Sequence, residues 1–117
     1  IHTGVEQLLA IYKPDQIAFE ELFFAKNVTT GIAVGEARGA ALVAAARYTQ
    51  ELYEYTPMQV KQAVTGTGRA DKTQVQAMVR AILSMRETPK PDDAADALAV
   101  AITHAHSMRA GALFKIV

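Results

Sequence analysis

The chain of 117 residues contains no cysteine. This absence excludes a disulfide framework, a zinc site built on thiolates and a thiol nucleophile. It is also typical of a reducing compartment, so we expect a cytoplasmic protein. No apolar stretch reaches the roughly 20 residues that a bilayer demands, and we expect no membrane partner.

The chain also lacks net charge, because 12 Lys and Arg residues balance 12 Asp and Glu residues. Zero net charge does not exclude nucleic acid, since binding depends on how charge is distributed over the surface. With 50% hydrophobic residues, disorder is excluded. The length leaves room for one domain, over residues 1–117.

Apolar periodicity and turn residues predict five helices and two strands. The helices are expected over 2–12, from a cap at 29 or 30 to 48, over 57–64, from a cap at 71 to about 85, and from 91 to about 107; the strands over 16–21 and 50–55. Two strands joined by a crossover helix pair in parallel. Because two parallel strands alone do not make a stable sheet, and because the chain begins at Ile1 inside an amphipathic pattern, we expect further strands upstream or from another chain.

Three carboxylates open the last helix, in the segment DDAAD at 92–96. Helix capping by Asp92 or Asp93 explains one or two of them. Asp93 and Asp96 lie on one helix face, where like charges repel unless a cation lies between them. Capping and metal binding are both compatible with this pattern.

Glu20 and Glu21 end the first strand, at the edge where open α/β sheets bind ligands. Their side chains lie on opposite faces, and periodicity does not decide which one faces a site. A solvated pair at the end of a strand is the alternative. His104 and His106 point to different sides of their helix, so we expect no histidine ligand pair.

Basic residues flank the segment TGTGRADK at 65–72. Gly66 and Gly68 would let backbone N–H groups approach a phosphate. Taken alone, the segment is more simply interpreted as a flexible turn between two helices.

Glycine recurs every four residues in the alanine-rich helix, at Gly31, Gly35 and Gly39. Glycine costs about 1 kcal/mol per position inside a helix. The stripe therefore predicts the close approach of another backbone, either the sheet or the same helix of a second subunit.

Four segments resemble the RuvC family of Holliday-junction resolvases. They are FEELFFAKN at 19–27, VGEARGAALVAA at 34–45, QVKQAVTGTGRADKTQVQAMV at 59–79 and PDDAADALAVAITHAH at 91–106. The resemblance implies an α/β fold of the RNase H-like type, in the retroviral-integrase-like superfamily. It also implies a homodimeric endonuclease that makes symmetric, metal-dependent cuts in four-way DNA junctions during recombination and repair, with a junction-binding protein and a branch-migration motor as partners.

The resemblance also assigns roles to individual residues. Glu20, Asp93 and Asp96 match catalytic, metal-binding carboxylates, which leaves Asp92 as the better candidate for the helix cap. Oxygen ligands select Mg²⁺ or Mn²⁺ over zinc, and we expect two ions in the complete site. The expected DNA-binding residues are Phe23, Lys26, Asn27, Lys61, Arg69 and Lys72, with Phe23 stacking on unpaired bases.

The family has a fourth carboxylate, on the first strand of an N-terminal three-stranded meander, and this sequence contains no counterpart. We therefore expect a partial RNase H-like domain that retains two parallel strands and about five helices. The alternative function is a catalytically incomplete fragment that only dimerises or binds branched DNA.

Overall fold

The computed structural model describes residues 2–21 and 28–110. In that part of the chain the elements are α1 (His2–Tyr12), β1 (Ile17–Glu20), α2 (Val28–Tyr48), β2 (Leu52–Tyr55), α3 (Pro57–Thr65), α4 (Lys72–Ile82) and α5 (Asp92–Ala110). The predicted order of elements is confirmed, and the boundaries differ from the predicted ones by a few residues.

β1 and β2 are neighbours in a two-stranded sheet. The N–H of Ile17 donates to the carbonyl of Glu51 (3.0 Å), and the N–H of Glu21 donates to the carbonyl of Tyr55 (2.7 Å). Both bonds advance in the same direction along the two strands, so the pair is parallel. Glu20 therefore lies one residue before a hydrogen bond to the end of β2.

The described chain forms two compact units, the first of which contains α1 and α2. These two helices pack against each other, and Leu9 of α1 is buried. Lys13 takes a left-handed φ of 46° directly before Pro14, and this conformation ends α1. At Gly39 of α2, an added Cβ would meet no atom of the described chain within 4 Å.

The second unit contains α3, α4 and α5, and the first two helices begin as the sequence predicts. In α3, the N–H of Gln59 donates to Oγ1 of Thr56 (3.1 Å) and the N–H of Thr56 donates to Oε1 of Gln59 (2.8 Å). Asp71 and Gln74 make the same reciprocal pair at the start of α4. Each pair satisfies two backbone donors that a helix start otherwise leaves unbonded.

The end of α4 differs from the prediction. The helix ends at Ile82 rather than near Met85. Ser84 takes a left-handed φ of 54°, and the N–H of Met85 donates back to the carbonyl of Arg80 (2.9 Å). This pair of features closes the last turn and prevents the next one.

The core of the second unit forms where α5 packs against α3 and α4. Its buried side chains include Val60, Val64, Val79, Ala95, Ala99, Val100 and Ile102. Full burial of a valine or isoleucine stabilises a fold by roughly 1.5–3 kcal/mol relative to exposure. This packing holds the first turns of α5 beside α3 and α4. Among the described helices, none is both long enough and apolar enough to cross a bilayer.

Candidate active site

A pocket of about 200 Å³ brings together the end of β1 and the beginning of α5. Glu20, the last residue of β1, contributes one carboxylate, and Asp96, in the second turn of α5, contributes another. The other described lining residues are Pro57, Val60, Lys61, Lys72, Val75 and Ala99. The pocket thus holds two acidic and two basic side chains among apolar neighbours.

The electrostatics of Glu20 reflect this arrangement. Burial is the main cause that raises the pKa of the Glu20 carboxyl, and the negative charge of Asp96 raises it further. The ammonium groups of Lys72 and Lys61 act in the opposite direction. A buried carboxylate with a second carboxylate nearby is a place where an added cation is stabilising.

Lys72 places a positive charge beside the acidic start of α5. Its Nζ lies 3.5 Å from Oδ2 of Asp92 and 3.7 Å from Oδ2 of Asp96. The charge of Asp96 is the main cause that raises the pKa of the Lys72 ammonium. Lys72 therefore stays charged at neutral pH and offsets part of the negative charge at the pocket.

The prediction that Asp92 caps α5 is wrong. Asp92 is the first residue inside α5 rather than the residue before it. Its carboxylate instead binds side chains of α4, because Oδ1 accepts a hydrogen bond from Nε2 of Gln76 (3.2 Å) and Oδ2 faces Lys72. Side chains of α4 therefore compete with the α5 backbone for this carboxylate. The sequence of α5 alone does not show that α4 supplies these partners.

Asp93 occupies a different position from the other two expected ligands. It is exposed in the first turn of α5, and the described lining of the pocket includes Glu20 and Asp96 but not Asp93. Within residues 2–21 and 28–110, no three Asp, Glu or His side chains lie close enough to hold one metal ion. The structure therefore brings together two of the three expected carboxylates.

The donor set at the pocket fits a hard divalent cation. Two carboxylates supply oxygen ligands of the kind that Mg²⁺ and Mn²⁺ prefer. Burial and, after it, the charge of Asp96 raise the pKa of Glu20, so a cation at this position would stabilise the ionised carboxylate. The pair fits one such ion, with solvent completing its coordination.

Lys61 and Lys72 line the carboxylate pocket, whereas Arg69 lines a different cavity, of about 600 Å³.

Gly66 is the residue that ends α3: it has φ 87°, and its N–H donates to the carbonyl of Gln62 (2.9 Å). Its N–H is therefore not free for a phosphate, contrary to the expectation from the sequence. A Cβ at Gly68 would lie 3.0 Å from Cγ of Met58, so this glycine permits close packing of the loop on α3.

Phe23, Lys26 and Asn27 lie outside the described residues. Their assignment to DNA binding stays a prediction.

Sequence reasoning did not anticipate a contact between β2 and α5. The hydroxyl of Tyr55 lies 2.6 Å from Nδ1 of His104, and both side chains are buried. Burial lowers the pKa of His104, which favours the neutral ring. The two residues are separated by 49 positions, and the only signal in the sequence was a histidine on the apolar face of the last helix.

Comparison with known proteins gives concordant matches. The family model for crossover junction endodeoxyribonuclease RuvC matches residues 1–104. The crossover junction endodeoxyribonuclease RuvC of Alkaliphilus metalliredigens is 54% identical over 116 residues, which cover 99% of this chain and 71% of that protein. The same enzyme of Rubrobacter xylanophilus is 60% identical over 112 residues, which cover 96% of this chain and 63% of that protein.

Two solved structures of RuvC from Thermus thermophilus are also similar to this chain, each with 44% sequence identity. The structure of the protein in complex with a Holliday junction substrate has a TM-score of 0.90 and is matched over 98% of this chain and 70% of its own. The other RuvC structure has a TM-score of 0.88, with 98% and 69% covered. The chain thus spans about two thirds of the length of the proteins that it matches.

Proposed function

Because the chain belongs to the RuvC family of crossover junction endodeoxyribonucleases, we propose that it hydrolyses phosphodiester bonds symmetrically in four-way DNA junctions, in recombination and repair. The predicted family and the RNase H-like α/β fold are confirmed by the matches. The observation that carries the proposed chemistry is the meeting of Glu20 and Asp96 at one pocket beside Lys61 and Lys72. A similar structure that contains a Holliday junction substrate supports the choice of DNA.

Catalysis is assigned to the carboxylates at the start of α5 and the end of β1. Glu20 and Asp96 would hold Mg²⁺ or Mn²⁺, with Asp93 as a further ligand and two ions in the complete site. A bound divalent ion supplies positive charge that activates the attacking water and stabilises the leaving 3′ oxygen. The apolar neighbours of Glu20 reduce its hydration, which strengthens its interaction with a cation.

DNA binding is assigned to six basic, polar and aromatic side chains. Lys61 and Lys72 stand beside the carboxylates, where they would contact phosphates that flank the scissile bond. Arg69 lies in the loop between α3 and α4 and would bind DNA phosphates further from the scissile bond. Phe23, Lys26 and Asn27 complete the proposed surface, with Phe23 stacking on bases that are unpaired at the branch point.

We also propose that the protein is a homodimer, since two symmetric cuts in a two-fold symmetric junction call for an isologous pair of sites. One face of α2 supports this proposal. Ile32 is 57% exposed, Val43 is 51% exposed, and an added Cβ at Gly39 between them would meet nothing in the described chain. A symmetry-related α2 would cover the two apolar side chains and approach the backbone at the glycine.

The remaining assignments are proposals of the same kind. We place residues 1–117 in one RNase H-like nuclease domain and the protein in the cytoplasm. A junction-binding protein and a branch-migration motor are the proposed partners in recombination.

A second candidate function is binding of branched DNA without cleavage. The observation that favours it is the number of ligands, because no group of three metal-ligating side chains forms within the described part of the chain. Two carboxylates hold a divalent ion weakly when solvent supplies the remaining ligands. Under this second function, the chain would dimerise and bind junctions but would not cut them.

Cleavage of a labelled four-way junction by this chain, with a linear duplex of the same sequence as control, separates the two functions. Mg²⁺ and Mn²⁺ are supplied in turn, and EDTA serves as the metal-free control. Paired symmetric cuts in the junction, absent from the duplex and absent with EDTA, support the nuclease. Junction binding without cuts in either metal supports the binding function, and equal cutting of duplex and junction contradicts both.

A further inference from the structure

We propose that Tyr55 and His104 are positioning residues that set the separation between Glu20 and Asp96, an inference that rests on the proposed function. Neither residue is assigned to metal or DNA binding. Tyr55 ends β2, and His104 lies in the middle of α5. Through this pair, β2, which is hydrogen-bonded to the end of β1 beside Glu20, is bonded to α5, which carries Asp96.

The first half of this connection runs through the backbone. The carbonyl of Tyr55 accepts a hydrogen bond from the N–H of Glu21 (2.7 Å). Glu21 directly follows Glu20, so this bond fixes the end of β1 relative to Tyr55. Any movement of Tyr55 is therefore passed to the backbone that carries the Glu20 carboxylate.

The second half runs through the side chain. The Tyr55 hydroxyl lies 2.6 Å from Nδ1 of His104, and the two rings are 5.8 Å apart between centroids at an interplanar angle of 56°. Burial raises the pKa of the Tyr55 hydroxyl, and a side-chain hydrogen bond with Ser107, one turn further along α5, acts in the opposite direction. Ser107 thus adds a second contact between Tyr55 and α5.

Burial makes this arrangement specific. Tyr55 is 1% exposed and His104 is 9% exposed. Breaking a hydrogen bond between buried groups is costly, so a shift of α5 along its axis that breaks the bond between Tyr55 and His104 is disfavoured. Apolar packing of α5 against α3 and α4 tolerates such a shift more easily, because it is not directional.

The helix transmits this constraint to the pocket. His104 is eight residues from Asp96, which corresponds to about 12 Å along a rigid helix. A displacement at His104 is therefore carried to Asp96 almost unchanged. Displacements of about 1 Å at a catalytic centre reduce rates by on the order of 100-fold, so the hydrogen bond acts on chemistry without touching the reacting atoms.

Tyr55→Phe tests the inference, because it removes the hydroxyl and keeps the ring. We expect Mn²⁺ affinity, measured by calorimetry without DNA, to fall about tenfold, which is the range seen when groups that orient metal ligands are removed. We expect the junction cleavage rate to fall by at least as much, whereas the junction dissociation constant stays within about twofold of the wild-type value. Tyr53→Phe is the matched control, since Tyr53 lies on the same strand, is also buried and donates its hydroxyl to Glu51.

Two variants of His104 keep the test decisive if Tyr55→Phe folds poorly. His104→Asn places a polar atom near the position of Nδ1 and should retain wild-type Mn²⁺ affinity within about threefold. His104→Leu fills the space without a hydrogen bond and should match Tyr55→Phe. Loss of affinity in both variants would indicate packing rather than hydrogen bonding and would overturn the inference, with melting curves recorded for each variant.

The outcomes separate this inference from the proposed function. If the wild-type chain cleaves junctions and Tyr55→Phe binds Mn²⁺ and cleaves equally well, the inference is overturned and the function stands. If the wild-type chain binds Mn²⁺ without cleaving, the function fails and the Mn²⁺ affinity of Tyr55→Phe still decides the inference. A wild-type chain that binds no Mn²⁺ overturns the inference whether or not it cleaves.

Discussion

Nζ of Lys72 lies 3.7 Å from Oδ2 of Asp96, so a cation carried by α4 faces a carboxylate carried by α5. The Lys72 side chain is 55% exposed, which leaves it accessible to a phosphate. We propose that the same ammonium group neutralises part of the acidic pocket in the free protein and contacts DNA in the complex.

Lys72→Met should weaken junction binding and make it less sensitive to salt. Each phosphate contact that is lost reduces the slope of log affinity against log salt by about one. The measurement is the junction dissociation constant at several salt concentrations. Lys13→Met, which removes an exposed lysine at the end of α1, is the matched control and should leave the slope unchanged. An equal slope in Lys72→Met and the wild type would remove Lys72 from the DNA surface.

Asp96→Asn should abolish cleavage and leave junction binding nearly intact. The substitution removes a proposed metal ligand and one negative charge, and it removes no DNA contact. Cleavage and binding are measured on the same four-way junction in Mg²⁺, and Asp15→Asn, an exposed carboxylate before β1, serves as control. Joint loss of binding and cleavage would show that Asp96 supports the fold or the DNA surface rather than the metal.

The stability of the second unit should depend on pH through His104. Burial lowers the pKa of His104 below its ordinary value of 6.5 in the folded protein. As the pH falls below about 6.5, the unfolded chain binds a proton that the folded chain does not, so the free energy of unfolding decreases. The contribution of neutral His104 to stability is fully present above pH 6.5 and is lost as the pH falls through the pKa of His104 in the folded protein.

Urea unfolding at pH 7.5 and pH 5.5, for the wild type and His104→Asn, measures this dependence. Glu20 acts in the opposite direction, because its raised pKa stabilises the folded protein as the pH falls. The difference between wild type and variant isolates His104, since Glu20 is common to both. A variant whose stability decreases as much as that of the wild type would show that His104 does not carry the effect.

Parts of the fold with local causes were predictable from the sequence. Thr56 and Asp71 cap their helices because each is followed three residues later by a glutamine that completes a reciprocal pair. The early end of α4 was not predictable, because Ser84 has no intrinsic preference for a left-handed conformation and takes it only in the folded context.

The residues of the candidate site also fall into those that the sequence indicated and those that only the structure reveals. Strand and helix positions, with the family resemblance, indicated Glu20 and Asp96, and both reach one pocket. Asp92 was misassigned because its partners, Lys72 and Gln76, are on another helix. Tyr55 and His104 were missed for the same reason, since neither belongs to a local motif and only the packing of α5 brings them together.

The cap at the start of α4 should contribute measurably to stability. Asp71→Ala removes the side-chain acceptor for the N–H of Gln74 and should lower the free energy of unfolding by about 1 kcal/mol. Asp71→Asn retains an acceptor of the same length and should cost only a few tenths of that value. Urea unfolding at neutral pH gives both numbers. Equal losses in the two variants would mean that the charge of Asp71, rather than its capping bond, stabilises the helix.

Gly39→Ala tests the proposed dimer face of α2 through two opposite effects. Alanine favours a helix over glycine by about 1 kcal/mol, and its Cβ would meet no described atom within 4 Å, so the single chain should become more stable. In a symmetric dimer the two added methyl groups would separate the facing backbones, so the dimer should weaken by about tenfold. Melting of dilute protein measures the first effect, and sedimentation equilibrium measures the second.

Gly4→Ala is the matched control for this experiment, because Gly4 is also open in the described structure and lies on α1. We expect it to leave the dimer dissociation constant unchanged. The two effects of Gly39→Ala have different origins, one in helix propensity and one in the contact between subunits, so they need not change together. A more stable chain with an unchanged dimer constant would place the subunit contact elsewhere than on the face of α2 that contains Gly39, and a monomeric wild type would contradict the dimer itself.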